Sequence, residues 1–561
     1  MKIRRGWSAV AVTALAVMLV ANAAPQAKDK VPQSAERAKT AALKRKVDTI
    51  VVIYAENRSF DSLFGGFPGA HGLKEVTHGK GHLDASYIPQ KDRDGTVLDK
   101  LPQTWNGVTA AGNPQTVTQA QSDNLPNAPF AIESAFTPAS GVTLTTTDVT
   151  RDLAHRFFEN AMEINGGTND MYAAWLDAGG LTMGHWTSYK HSALWDLAQH
   201  YVLADRFFQA AYGGSFLNHQ YLICACAPPV SANFVTNNKP SLNTLAALNA
   251  KRVPQLATNA GSPASALDGP PSFKTGNIAP LDYFGIGDGY RAVNTMQPAY
   301  QPSGNFPASG ASDLRYADSA ANNTLPPVTE TNIGDLLSDS GIDWAWYAHS
   351  WSVATLDGEQ PAGSTHSVIY TPSTPRGNPD FQAHHHPFNY YAEFDPGTHA
   401  ADRAAHLRDY EDLVADAAAG TLPPVVFYKP TGYINQHPGY ANASDGDEHI
   451  ADVVAKLRQG PQWKRMVIVI TYDEYGGAWD HFPVPRGDLL GPGTRIPAII
   501  VSPLSKNGHV DHTQYDTASI LRLITRRFDL DTLPGLTERD QALVANGGQP
   551  MGDLTNALDL L

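Results

Sequence analysis

The sequence predicts an α/β protein with a mostly parallel sheet flanked by helices. Three observations carry this expectation: short β-branched or apolar runs end abruptly in polar residues, amphipathic helical patterns separate or follow them, and one Pro/Gly-rich tract interrupts the alternation. Strands that alternate with helices build parallel sheets, and such sheets bind ligands beyond the carboxyl ends of their strands. The residues that immediately follow each strand are therefore the ones to inspect.

The predicted strands are residues 49–54 (TIVVIY), 425–428 (VVFY), 466–472 (MVIVITY) and 496–501 (IPAIIV). A strand covered by helices on both faces reads as a continuous apolar run, as these do. Helical periodicity appears at 153–164, 192–200, 400–418, 449–458 and 516–527. From about 233 to 327 the chain turns to Pro, Gly, Ser, Ala and Asn with little periodicity, which reads as an insertion or cap without chemistry of its own.

Ahead of the first strand, MKIRRGWSAVAVTALAVMLVANAA has a basic start (Lys2, Arg4, Arg5), an apolar run from Ala9 to Val20 and a small-residue cleavage site at Ala21-Asn22-Ala23. The run is shorter than the roughly 20 apolar residues that span a bilayer. Residues 1–23 are expected to be a signal peptide, 24–48 a linker and 49–561 one domain that carries the chemistry. The protein is then exported, periplasmic or secreted, with no stable membrane anchor.

The net charge of −14 repels nucleic acid, so no nucleic-acid partner is expected, and an anionic substrate must be drawn in by a metal or by histidines. No glycine-rich phosphate loop of the nucleotide-binding or dinucleotide-binding kind occurs. The two cysteines, Cys224 and Cys226, are too few for a disulfide framework and are expected to be buried thiols.

Side-chain oxygens follow two of the strands: Glu56 and Asn57 in ENRSFD, and Asp473 and Glu474 in TYDEYGGAWDH. Adjacent carboxylates at a strand end are costly unless a cation compensates them, and these hard oxygen donors suit magnesium, calcium, manganese or zinc. Histidines are the second signal. His155 falls in the predicted helix at 153–164, His384-His385-His386 form a run, and His437 lies in NQHPGYA; imidazole can ligate metal, hold phosphate or protonate a leaving alkoxide. The third signal is Gly213-Gly214-Ser215, where glycines permit a tight turn that presents a hydroxyl. Leu217 stands where an acyl-transfer nucleophile elbow needs its second glycine, so that chemistry loses support.

The segments ENRSFD, INGGTNDMYAAW, DAGGLTMGHW, YGGSFLNH, HHHPF, HPGYA, TYDEYGGAWDH and RIPAIIVSP, in this order, resemble a bacterial phosphoesterase family of acid phosphatases and phospholipases C. The resemblance implies an alkaline-phosphatase-like core with one divalent metal held by Glu56, Asn57, Ser215, Asp473 and Glu474. It further implies a phosphate pocket lined by His155, His384, His385 and His437. The three consecutive histidines depart from the family's doublet, so His384-His385 and His385-His386 both remain open as the working pair. A serine nucleophile, and the absence of further β-rich domains, resemble the acid phosphatase branch. The expected reaction is hydrolysis of a small phosphate monoester through a phosphoserine at Ser215, with His155 or His437 protonating the leaving group; the alternative is phospholipase C. Asp480 and His481 could orient the metal ligands or merely stabilise a turn.

Overall fold

The computed structural model describes residues 33–561 except 79–81, 232–233, 235–244, 252, 275–277, 281–289, 322–323 and 373–377. The predicted signal peptide lies outside the described residues. A central eight-stranded sheet organises the chain. Its strands are β1 (Thr49–Ala55), β2 (Val202–Ala204), β3 (Trp344–Ala348), β4 (Leu407–Asp409), β5 (Val425–Lys429), β6 (Met466–Tyr472), β7 (Ala498–Val501) and β8 (His509–Asp511), in the spatial order β4-β3-β5-β1-β6-β7-β2-β8. Only β7 runs against the others. The sheet is thus mostly parallel, as expected.

The centre of the sheet positions the chemistry. Every residue of β1 and β6 is buried, which is why both read as unbroken apolar runs. In their parallel register Ala55 lies opposite Tyr472, so the next residues, Glu56 and Asp473, leave the sheet side by side.

Helices flank the sheet with the caps that their sequences offer. Ser192 accepts from the Trp195 amide at the start of Ala193–His200, and Asn442 accepts from the Asp445 amide at the start of Ala443–Gln459. The helix expected over 400–418 is two helices, Ala400–His406 and Tyr410–Ala419. Between them β4 pairs with Trp346–Ala348 at the sheet edge, and Asp409 then restarts the helix through a capping box with Asp412. The helix expected from residue 153 begins only at Phe157, because Arg156 is extended; His155 therefore sits on an extended approach and not in a helix. Within the expected linker, Gln33–Lys46 is a helix whose Glu36 carboxylate takes a 2.9 Å bond from Arg526 on the Ser519–Phe528 helix.

The expectation of two buried thiols is overturned. Cys224 and Cys226 form a disulfide. Cys224 ends the Ser215–Cys224 helix and Ala225 turns left-handed (φ 51°), which brings the two Cα atoms to 5.1 Å, within bridging range. No helix among the described residues is long and apolar enough to cross a membrane.

Candidate active site

Carboxylates, an amide and a hydroxyl converge at the carboxyl ends of β1 and β6. Asn57 takes a left-handed conformation (φ 58°), and its backbone amide donates to Asp473 Oδ1 at 3.1 Å. The tight path after Glu474 needs glycine: Gly476 has φ 61°, and a Cβ there would lie 2.5 Å from the Asn57 carbonyl oxygen. Glu474 Oε2 accepts from the Gly476 amide at 3.0 Å.

Ser215 reaches this cluster from another direction. It is the first residue of the Ser215–Cys224 helix, with Gly214 as the preceding cap, so its hydroxyl stands at the positive end of the helix dipole. Its Oγ donates to Glu56 Oε2 at 3.4 Å. The turn before it is braced by Asn218, whose Nδ2 donates to the carbonyls of Ala211, Gly213 and Gly214 and whose Oδ1 accepts from the Ala211 amide. Gly213 (φ 72°) passes so close to Phe157 that a Cβ would sit 2.2 Å from its backbone nitrogen.

The histidines close the remaining sides. Asn57 Nδ2 donates to His437 Nε2 at 2.7 Å and approaches His155 Nε2 at 3.4 Å, and His155 Nε2 is 3.5 Å from Glu474 Oε1. His385 Nε2 lies 3.4 Å from Glu56 Oε2, and its ring packs edge-on against that of His384. His385 thus faces the cluster, and His384 faces the cavity over it. His386 turns away, buried against Trp351 with ring centroids 4.2 Å apart.

Residues 47–531 match the family described as the phosphoesterase family. The chain belongs to the phosphoesterase family. Curated relatives include non-specific phospholipase C5 of Arabidopsis thaliana, 32% identical over 22% of this chain and 29% of that protein. Hemolytic phospholipase C of Pseudomonas aeruginosa is 32% identical over 22% of this chain and 20% of that protein. Phospholipase C B of Mycobacterium tuberculosis is 28% identical over 26% and 32% respectively. The matched stretch therefore spans about a third or less of each of these relatives. Distantly similar solved structures include the PsFucS1 sulfatase from Pseudoalteromonas sp., with 12% identity, a TM-score of 0.28 and coverage of 65% of this chain and 70% of that one. Another is the phosphonate monoester hydrolase SpPMH from Silicibacter pomeroyi, with 14% identity, a TM-score of 0.25 and coverage of 64% and 72%.

In this phosphoesterase the donor set fits a divalent cation. Asn57 Oδ1, Asp473 Oδ2 and Glu474 Oε1 are buried without a hydrogen-bond partner, a costly arrangement for oxygens removed from water. The Asn57 amide gives its hydrogens to histidines, which leaves its oxygen free to ligate. Burial, and after it the charge of Asp473, pushes the Glu56 and Glu474 carboxyls well above their ordinary range. A cation among them would reverse that shift.

Two residues of the cluster escape sequence reasoning. Lys429, at the end of β5, pairs with Glu56 Oε1 and donates to the Tyr54 carbonyl at 3.0 Å. His219 follows Ser215 by one helical turn; its Nδ1 donates to the Ser215 carbonyl at 2.8 Å, and it lies 3.7 Å from Glu56 and 3.9 Å from Asp473. Both had a signal available: Lys429 ends a predicted strand, and His219 is the i+4 partner of the candidate nucleophile. Asp480 and His481 do not touch the candidate ligands but lock the Phe60–Phe64 helix, through Asp61 and Arg495.

A cavity of about 760 Å³ opens over the cluster. His155, His384 and His437 line it, and behind His155 and His437 Asn57 and Glu474 connect it to the cluster. One wall comes from the tract read as chemically silent: Val293, Asn294, Thr295 and Met296 line the cavity, and the Thr295 carbonyl accepts from the Phe216 amide at 3.1 Å.

Proposed function

We propose that this protein is a metal-dependent phosphoric ester hydrolase that cleaves phospholipids in the manner of a phospholipase C, through a phosphoserine at Ser215. The observation that carries the chemistry is the Ser215 hydroxyl at a helix N-terminus beside Glu56, within a cluster of partnerless buried oxygens. Glu56, Asn57, Ser215, Asp473 and Glu474 would hold one divalent cation, which when bound supplies Lewis acidity toward a phosphoryl oxygen and toward the serine hydroxyl.

Ser215 Oγ attacks phosphorus in line with the leaving alcohol, and its proton has Glu56 Oε2 as the nearest acceptor. His384 and His385 hold the phosphoryl oxygens. His155 and His437, which line the cavity, are the proton donors at hand for the departing alkoxide. Water then attacks the resulting seryl phosphate, which in a phospholipid reaction still carries the headgroup, breaking the bond to Ser215 Oγ, restoring its hydroxyl and releasing the phosphorylated headgroup.

The choice of substrate departs from the sequence expectation of an acid phosphatase. The curated relatives named above are phospholipases C, and a cavity of about 760 Å³ is far larger than a phosphate group requires. Phosphate monoesters remain the second reading, favoured by the serine at the nucleophile position. Export is supported by the N-terminal signal pattern and by the Cys224–Cys226 disulfide, a bond that persists in oxidising compartments.

The test is a substrate panel on metal-loaded protein. Diacylglycerol release from phosphatidylcholine vesicles at rates matching or exceeding hydrolysis of p-nitrophenyl phosphate supports the phospholipase reading. Monoester turnover without diacylglycerol moves the assignment to the phosphatase reading. Turnover of neither overturns both.

A further inference from the structure

The histidines of the cavity differ in which ring nitrogen is committed. His155 Nδ1 bonds the Leu153 carbonyl at 2.6 Å, and His437 Nδ1 bonds the Pro438 carbonyl. A carbonyl oxygen only accepts, so both rings carry their hydrogen on Nδ1 and, when neutral, present a lone pair at Nε2. Both Nε2 atoms accordingly face the Asn57 amide. His384 is arranged otherwise, because its Nδ1 faces the hydroxyl of Tyr370 at 2.8 Å.

The Tyr370 backbone is held in an unusual state to make that contact. Its φ of 50° is left-handed, a conformation rare for a bulky aromatic and one that points to a local requirement. The ring packs onto Gly304 so closely that a Cβ there would lie 2.6 Å from Tyr370 Cε2. Backbone bonds pin the segment on both sides: Tyr370 donates to the Phe381 carbonyl at 3.1 Å, and Phe381 to the Val368 carbonyl at 2.8 Å. The ring of Tyr370 also stacks on that of His384, with centroids 5.7 Å apart.

We propose that Tyr370 is a positioning residue that donates its hydroxyl hydrogen to His384 Nδ1 and so fixes His384 as an Nε2–H donor to the phosphoryl oxygens of the substrate. The reverse direction would turn a lone pair of Nε2 toward an anion, which is repulsive. Burial, then the neighbouring Lys429 and His155, pushes the His384 imidazole down to about 3, which favours the neutral ring, and the tautomer of that ring decides whether Nε2 can donate. Tyr370 thereby sets His384 apart from His155 and His437, whose Nδ1 hydrogens are committed to backbone carbonyls. The inference rests on the phosphoesterase reading above.

The experiment is a double-mutant cycle of Tyr370→Phe and His384→Ala in the metal-loaded full chain. It reads kcat and KM on the better substrate of the panel, affinity for vanadate and inorganic phosphate, and Tm. Tyr370→Phe keeps the ring and should leave Tm unchanged while weakening anion affinity and kcat/KM about tenfold, the scale of one lost hydrogen bond. In the His384→Ala background the same change should cost nothing further. Equal losses in both backgrounds would mean that Tyr370 acts on substrate directly, and unchanged anion affinity in Tyr370→Phe would mean that it positions nothing; either overturns the proposal. If wild-type protein turns over no phosphoester, the functional reading fails by itself. Phosphate affinity still decides the role of Tyr370, its loss in the single variant supporting the proposal and its retention refuting it.

Discussion

The hydroxyl of Ser215 lies 3.4 Å from Oε2 of Glu56, although the two residues are 159 positions apart and approach from a helix and a strand. Ser215→Ala removes that oxygen without disturbing the Asn218 brace, so the fold should hold. Turnover should fall by several orders of magnitude and no phosphoenzyme should form. Acid quenching with a phosphate-labelled substrate checks this. Label on the peptide containing Ser215 is expected, and near wild-type turnover by the Ala variant would mean that water attacks directly.

Asp473→Ala or Glu474→Ala should strip the cation and nearly all activity, because each removes a buried oxygen that accepts no hydrogen bond. Metal content by elemental analysis and activity before and after chelation are the readouts. Full activity in a variant that binds no metal would refute the ligand assignment.

Lys429 and Glu56 form a pair with both side chains at 3% exposure or less. Lys429→Met leaves the carboxylate without its cation, a change that costs about 3–5 kcal/mol when one partner of a buried pair is lost. A bound divalent cation supplies part of the missing charge. The drop in Tm should therefore be larger in chelated protein than in metal-loaded protein, and equal drops would show that Glu56 does not face the metal.

His481 offers a pH test away from the cluster around Ser215. Burial alone would lower its pKa, but the charge of Asp61 and a 2.6 Å bond from Nδ1 to Asp61 Oδ2 together outweigh it and hold the imidazole above its ordinary 6.5. A group whose folded pKa is raised contributes stability that is complete below the unfolded value and is lost as pH rises through the folded one. Tm should thus decline from about pH 6.5 upward, and His481→Gln should flatten that decline. Identical pH profiles for the two proteins would remove His481 from the account.

The centre of the sheet is legible in the sequence because strands buried on both faces leave unbroken apolar runs, as TIVVIY and MVIVITY do. The three-residue strands Val202–Ala204, Leu407–Asp409 and His509–Asp511 leave no such trace, since sheet pairing and not local pattern defines them. Glu56, Asn57, Asp473 and Glu474 stand out because each pair of polar side chains abuts the carboxyl end of an apolar run. Lys429 occupies the equivalent place on β5, yet a lone lysine suggests no metal and carries no signal of its partner Glu56. The disulfide depends on the left-handed Ala225, a conformation that an alanine does not advertise.

The bond from the Asn57 amide to Asp473 spans 416 residues of sequence. During synthesis the first half of this site waits, unpartnered, until most of the chain has emerged, and closing so long a loop gains nothing until β1 and β6 lie side by side. A chain that has not completed its sheet has no place to gather a cation. Binding of the ion would therefore register the end of folding, and an incompletely folded chain would be chemically silent toward phosphoesters instead of loosely active.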